Sequence, residues 1–301
     1  MANITTTEVN DSIPTIVAAA ALGYLKANTV LARLVNRDYD NEVAVYGQTV
    51  DIPFAGSLSA NDKSANTVVT LQAPADTKKS VTLNNHKEVS FLIEDPAKAF
   101  ARPDWISRYM ADGMAVLAES IDASIAALYS GFSQTIDATS GLAEDDFREA
   151  RRQLNAAKAP TRNRVAVLHE DAEYAFLAIE KAINTDYRES LGLANAAAYQ
   201  GRFMGFDVVM DQMIAVVAGT PNTLKNMFFH RDAIVLATRP LPMAPAGSGV
   251  IQEVMAEDGI VLRVTMSYNP SHLGVQVTID ALWGVAELRD NHGVVVTTNE
   301  I

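Results

Sequence analysis

Between Asp104 and Ser130 the apolar residues Ile106, Met110, Met114, Leu117, Ile121, Ile125 and Leu128 recur at steps of 4, 4, 3, 4, 4 and 3. Such steps keep side chains on one face of an α-helix and on no single face of a strand. Pro103 interrupts whatever precedes and Asp104 supplies a cap, so one long helix is predicted. Its length, about 27 residues at 1.5 Å rise, makes a rod of roughly 40 Å. The other face carries Arg108, Asp112, Glu119 and Asp122, and reads as solvated. In a chain of 301 residues, a rod of this length dictates where everything else can pack.

The pattern on either side is different. Residues 1–11 are polar. Ser12 and Pro14 then open an Ala-rich helical stretch that runs to about Leu34. From Asn41 to Phe54, Val43, Val45, Val50 and Ile52 alternate with polar neighbours, and strand is expected again from Ser80 to Ile93. The small, polar stretch between them, residues 55–80, has too few large apolar side chains to hold a core, so it reads as a hairpin projecting from the body.

Beyond Gly141 the chain reads as an α/β unit. Helices are expected at about 144–157 and 171–182, with strands at 164–168, 206–210 and 227–236. Gly201 to Gly205 reads as a turn entering a strand. A Pro-rich linker spans 238–249, and antiparallel strands follow at 250–256, 260–268, 274–282 and 294–298, with turns at Asp258-Gly259 and Asn269-Pro270. These last strands are expected to pair with those flanking residues 40–93, leaving 140–240 as an insertion.

Composition narrows the chemistry. No cysteine is present, which excludes a disulfide framework, a thiol nucleophile and cysteine-ligated metals. The net charge of −12 argues against phosphate binding as the main activity, since that needs clustered Lys and Arg. The tightest basic cluster, Arg148, Arg151, Arg152, Lys158, Arg162 and Arg164, is interleaved with Glu144, Asp145, Asp146 and Glu149. No secretion signal opens the chain, and the longest apolar run, Ile16 to Leu22, is far too short to span a membrane.

The five histidines form no metal-binding pair at helical spacing. His169, Glu170, Asp171 and Glu173 resemble a hard-metal cluster, but acids gathered at the first turn of a helix are explained by the helix dipole. There is no P-loop, no dinucleotide fingerprint and no nucleophile elbow. Neither a catalytic constellation nor a cofactor or metal site is predicted.

The order of elements resembles the major capsid (coat) protein of tailed bacteriophages, the Hong Kong 97-type fold. The resemblance also rests on local phrasing: Gly201-Arg202-Phe203-Met204-Gly205-Phe206-Asp207-Val208-Val209, then Met227-Phe228-Phe229-His230-Arg231-Asp232-Ala233-Ile234, then Trp283-Gly284-Val285. It implies an α+β capsid fold with an N-terminal arm (1–40) and an extended β-hairpin loop with flanking strands (41–93). A peripheral domain with a long spine helix (94–139 and 241–301) and an inserted axial domain (140–240) complete it.

What the resemblance implies is a structural protein and not an enzyme. Copies would self-assemble into pentamers and hexamers of an icosahedral head around double-stranded DNA, held without sequence-specific binding. The implied partners are further copies of the chain, a scaffolding protein, a portal protein and a decoration protein, with no membrane. The location would be the virion, after assembly in the host cytoplasm. Some members carry a scaffolding segment of about a hundred residues before the arm, and here Met1 leads directly into it, so a separate scaffolding protein is expected.

Subunit-interface candidates are Leu25, Leu31 and Leu34 on the arm and Asp62, Lys63, Lys78 and Lys79 in the loop. The crosslinking lysine of the type member could correspond to Lys63, but no matching asparagine and glutamate are found, so crosslinking is not expected. Two rival readings are a bacterial nanocompartment (encapsulin-like) shell on the same fold and a soluble α/β enzyme using His169, Glu170 and Asp207.

Overall fold

The computed structural model describes residues 30–38, 49–54, 58–74, 76–95, 105–179, 199–245, 248–257 and 260–301. Most of the expected N-terminal helix, the first part of the first hairpin and the Asp258-Gly259 turn lie outside the described residues.

The long stripe folds as a helix, α1 (Trp105–Ala126), continued by a 3₁₀ turn at Ala127–Gly131. Its 22 α-helical residues span about 33 Å, and the five residues of the 3₁₀ turn extend the helical run to Gly131, close to the expected length. Met114, Leu117, Ile121 and Ile125 are buried as the spacing requires, while Asp112 and Glu119 are exposed. Asp122 departs from the expected polar face: it is only 2% exposed.

A two-stranded hairpin pairs β1 (Thr49–Phe54) with β2 (Thr77–Thr82), in register from Thr49↔Thr82 to Phe54↔Thr77. β3 (Asn85–Glu94) then enters a five-stranded sheet with β10 (Ile234–Arg239), β11 (Val250–Glu257), β12 (Ile260–Asn269) and β13 (Gly274–Glu287). The 14 residues of β13 form its backbone, pairing with β3, β10 and β12. Gly284 belongs where β13 passes the end of the hairpin, because a Cβ there would run into the Thr82 carbonyl.

The second sheet has seven strands. β4 (Gln134–Asp137) and β14 (Gly293–Asn299) are parallel, and β14 runs antiparallel to β9 (Thr223–His230). β5 (Arg164–Leu168), β7 (Phe206–Met210) and β6 (Tyr199–Phe203) extend it, with the short β8 (Val216–Val217) on β9. The turn joining β6 to β7 is Met204-Gly205, both at positive φ as a two-residue hairpin of the right twist demands. Helices α2 (Glu144–Ala156) and α3 (Glu170–Leu177) pack on one face of this sheet.

Strand alternation distributes the side chains between two cores. Val165, Val167, Met227, Phe229 and Val295 point to the α1 side, and Ala166, Leu168, Phe228, Val294 and Val296 point to the α2/α3 side. Being covered on both faces, β5 is apolar from Val165 to Leu168 without a break. Phe147 of α2 sits at the centre of the second core, with ring centroids 5.0 Å from Phe203 and Phe228 and 5.4 Å from Phe176. The same alternation on β10 sends Ile234 and Leu236 to the α1 core, and Val235 and Ala237 to a small cluster with Ile52, Val81 and Leu83 that anchors the hairpin.

Two expectations about pairing are corrected. Of the late strands, β13 does pair with the segment before residue 93, but β14 joins the seven-stranded sheet. The run expected as one strand at 227–236 is two, β9 and β10, broken by a 3₁₀ turn at Arg231–Ala233 and lying in different sheets. Local periodicity is the same on both sides of this break, so only the partner strands distinguish them.

Candidate assembly surfaces

The hairpin of β1 and β2 carries the segment 58–74, in which every residue is exposed. The segment is not featureless. Ser59 and Gln72 join its two legs, the Gln72 side chain accepting the Ser59 amide at 2.9 Å and donating to the Ser59 carbonyl at 2.6 Å. At the far end Lys63 Nζ donates to the Ser64 carbonyl at 2.7 Å and to Thr67 Oγ1 at 3.1 Å, closing a turn on itself. Beyond this turn lie Val68 and Leu71, 91% and 90% exposed, with Val69 and Leu58 also open to solvent. Four large apolar side chains in solvent on a segment with no core are the kind of exposure that marks an interaction surface.

At the base of the hairpin, Lys78 Nζ meets Asp51 Oδ2 at 2.6 Å and Ser80 donates to the other oxygen. Those bonds, led by the one from Lys78, hold the Asp51 carboxyl below its ordinary range. Lys79 Nζ lies 3.7 Å from Glu287 Oε1, tying β2 to β13. Arg289 stacks over the Phe54 ring at 5.3 Å.

The predicted interface residues thus separate. Asp62, Lys63, Lys78 and Lys79 are exposed on one extension. Leu31 is different: it is wholly buried in the chain's own core beside α1, which leaves no surface of it for another subunit. Leu34 is half-buried against the same core, and Leu25 lies outside the described residues.

The arm segment is held by a residue that the sequence reading put on the wrong face. Asp122 accepts the amides of Val30 at 2.7 Å and Ala32 at 3.0 Å, satisfying the open start of the Leu31–Arg33 turn. Burial first, and then the Asp211 charge, push its carboxyl up to about 7 against the bonds from those amides. Its burial had a signal, since Ala118, Ile121, Asp122 and Ile125 fall on one helical face. Further along, Asn36 bridges to β10: its amide donates to the Ile234 carbonyl and its carbonyl accepts the Leu236 amide, both at 3.0 Å.

The residues of the enzyme reading are not brought together as a site. His169 caps α3, its Nδ1 accepting the Asp171 amide at 3.4 Å, and its own amide goes to buried Asn226 at 2.8 Å. Glu170, Asp171 and Glu173 occupy the first turn of α3, where the dipole favours them, and Asp207 lies in β7. Among the described residues no group of three His, Asp or Glu side chains could hold a metal, and no helix is long and apolar enough to cross a membrane.

No protein-family model matches the chain, and no curated protein matches it. Solved structures do. A chain of Mycobacterium phage Che8 is 19% identical with a TM-score of 0.65, covering 89% of this chain and 90% of its own. The capsid of cyanophage P-SCSP1u gives 14% identity and a TM-score of 0.64, with 90% and 88% covered. The capsid of Ralstonia phage GP4 gives 10% and 0.62, with 89% and 87% covered. The chain therefore has the α+β, Hong Kong 97-type fold of tailed-phage capsid structures.

Proposed function

We propose that this chain is a major capsid protein that assembles into the pentamers and hexamers of an icosahedral phage head enclosing double-stranded DNA. The observation that carries the reading is the fold likeness to phage capsids over almost the whole chain, at 89% of this chain and 90% of the Che8 chain. The fully exposed segment 58–74 supports it, since its apolar side chains gain burial only from another molecule. The function is structural, the location the virion, and assembly takes place in the host cytoplasm.

In the same reading, 1–40 is the N-terminal arm, 41–93 the extended loop with its strands, 94–139 with 241–301 the peripheral domain and 140–240 the axial domain. β10, from 140–240, pairs with β13, while β4 and β14, from 94–139 and 241–301, pair within the seven-stranded sheet. Asp62, Lys63, Lys78 and Lys79 belong to a contact with a neighbouring copy, along with Leu25 and Leu34 of the arm. A scaffolding protein, a portal protein and a decoration protein complete the set of partners.

Negative-stain microscopy and sedimentation of the purified chain, alone and coexpressed with a candidate scaffold, test this. Closed shells or capsomer rings are expected. A monodisperse monomer or dimer under every condition overturns the proposal. Shells that close without scaffold and retain a protein cargo in place of DNA point to the nanocompartment alternative.

A further inference from the structure

The two sheets are joined by two crossings that run side by side. β9 leaves the seven-stranded sheet at His230, turns through Arg231–Ala233 and enters the five-stranded sheet as β10. β13 leaves that sheet at Glu287 and returns through the turn Asp290–His292 as β14. The crossings are bonded to each other, the amides of Leu288 and Arg289 donating to the Ala233 carbonyl at 2.8 and 3.3 Å. Each carries a buried histidine, and the two rings meet edge to face, centroids 6.0 Å apart at 89°.

A hydrogen bond defines the state of the His230 ring. His230 Nδ1 accepts the Asp232 amide at 3.2 Å, which an imidazole can do only with that nitrogen unprotonated. The ring is also hydrogen-bonded to the Arg162 backbone. His292 Nδ1 is buried with no hydrogen-bond partner among the described residues. Around the pair stand one carboxylate, Asp232, and two guanidinium groups, Arg164 and Arg289. Arg164 is itself buried, with three of its N–H groups on the Pro160 and Ala159 carbonyls and the Asn155 side chain. Burial first, then the cationic neighbours, hold both imidazoles below the ordinary histidine range, with Asp232 opposing.

We propose that His230 and His292 form a proton-operated joint between the two sheets, locked while both rings are neutral and released when His230 takes up a proton. The proton converts Nδ1 from acceptor to donor, so the Asp232 amide loses its partner and the Arg231–Ala233 turn loses its cap. The new N–H has a partner at hand, because Asp232 Oδ2 lies 3.7 Å from Nδ1. Asp232 also accepts the Asn36 side-chain amide at 3.0 Å, and Asn36 is bonded into β10. A shift of Asp232 therefore reaches the arm segment as well. The sign follows from the depressed proton affinity: the joint's contribution to stability is complete above the ordinary histidine value and is lost as pH falls through the lowered one.

Hydrogen exchange of the full chain, corrected for intrinsic rates, tests the joint at pH 7.5 and 5.0. Amides of residues 231–236 should lose protection about tenfold or more in acid, while Met227 to Phe229 in mid-sheet stay protected. His230→Asn supplies a non-titrating acceptor for the same amide and should keep residues 231–236 protected within about twofold. A wild-type measurement stands beside the variant: nitrogen chemical shifts should place the proton of His230 on Nε2 at pH 7.5. Unchanged protection of residues 231–236 in acid, the same acid loss in His230→Asn, or an Nδ1–H tautomer at pH 7.5 would each overturn the proposal.

Discussion

Asp122, on the buried face of α1, accepts the backbone amide of Val30 at 2.7 Å and so ties the arm segment to the long helix. The bond matters because the rest of that carboxylate is enclosed: its second oxygen takes the Ala32 amide, and Asp211 adds a like charge. With the folded value near 7 against 3.8 unfolded, the fold prefers the protonated acid. That contribution is complete below the unfolded value and is lost as pH rises through about 7. Asp122→Asn removes the titration. The stability difference between variant and wild type, measured by urea unfolding at pH 4.5 and 7.5, should change by about 2–4 kcal/mol in favour of the variant at the higher pH.

Phe147→Ala should be among the most costly substitutions in the chain, at about 3–5 kcal/mol. The ring touches Phe176, Phe203, Phe206 and Phe228, so no single neighbour can move to fill the space. Thermal or denaturant unfolding reads the cost. A loss under 1 kcal/mol would mean that the core of α2 and the sheet collapses easily.

Segment 58–74 is predicted to separate folding from assembly. Serine at Leu58, Val68, Val69 and Leu71 should change the stability of the isolated chain by no more than about 0.5 kcal/mol each, since these side chains are mostly open to solvent. Particle yield by sedimentation should collapse in the same variants. Lys78→Ala provides a contrast: its pair with Asp51 is exposed, and breaking it should leave the unfolding midpoint of the isolated chain nearly unchanged.

Asp280 is 3% exposed, takes both forks of Arg263 at 3.0 and 2.6 Å and faces His86 at 3.0 Å, joining β3, β12 and β13. Asp280→Ala strands the partly buried guanidinium and should cost about 3–5 kcal/mol. Asp280→Asn keeps the shape and one acceptor, and should recover part of that loss in the same unfolding assay.

The long helix, the strand at Arg164–Leu168 and the helix at Glu144–Ala156 were legible from the residues alone, and the turn expected over Gly201 to Gly205 was legible at its Gly205 end, its first residues belonging to β6. Each follows from an interaction within a few positions: a stripe at helical period, an unbroken apolar run, a first turn rich in acid, a glycine where φ must be positive. The order of these pieces was enough to suggest the capsid fold. What the residues did not disclose is every relation set by distant chain. Met227–Phe229 and Ile234–Leu236 look alike in sequence, yet one lies opposite β14 and the other opposite β13, because the chain changes sheet at His230. Asp122 reads as a surface acid until an amide from residue 30, ninety-two positions away, turns it inward. Short-range spacing sets which elements form, since it acts through the backbone's own geometry. Which faces meet, and which charges are thereby buried, is decided only when segments far apart in the chain exclude water from one another.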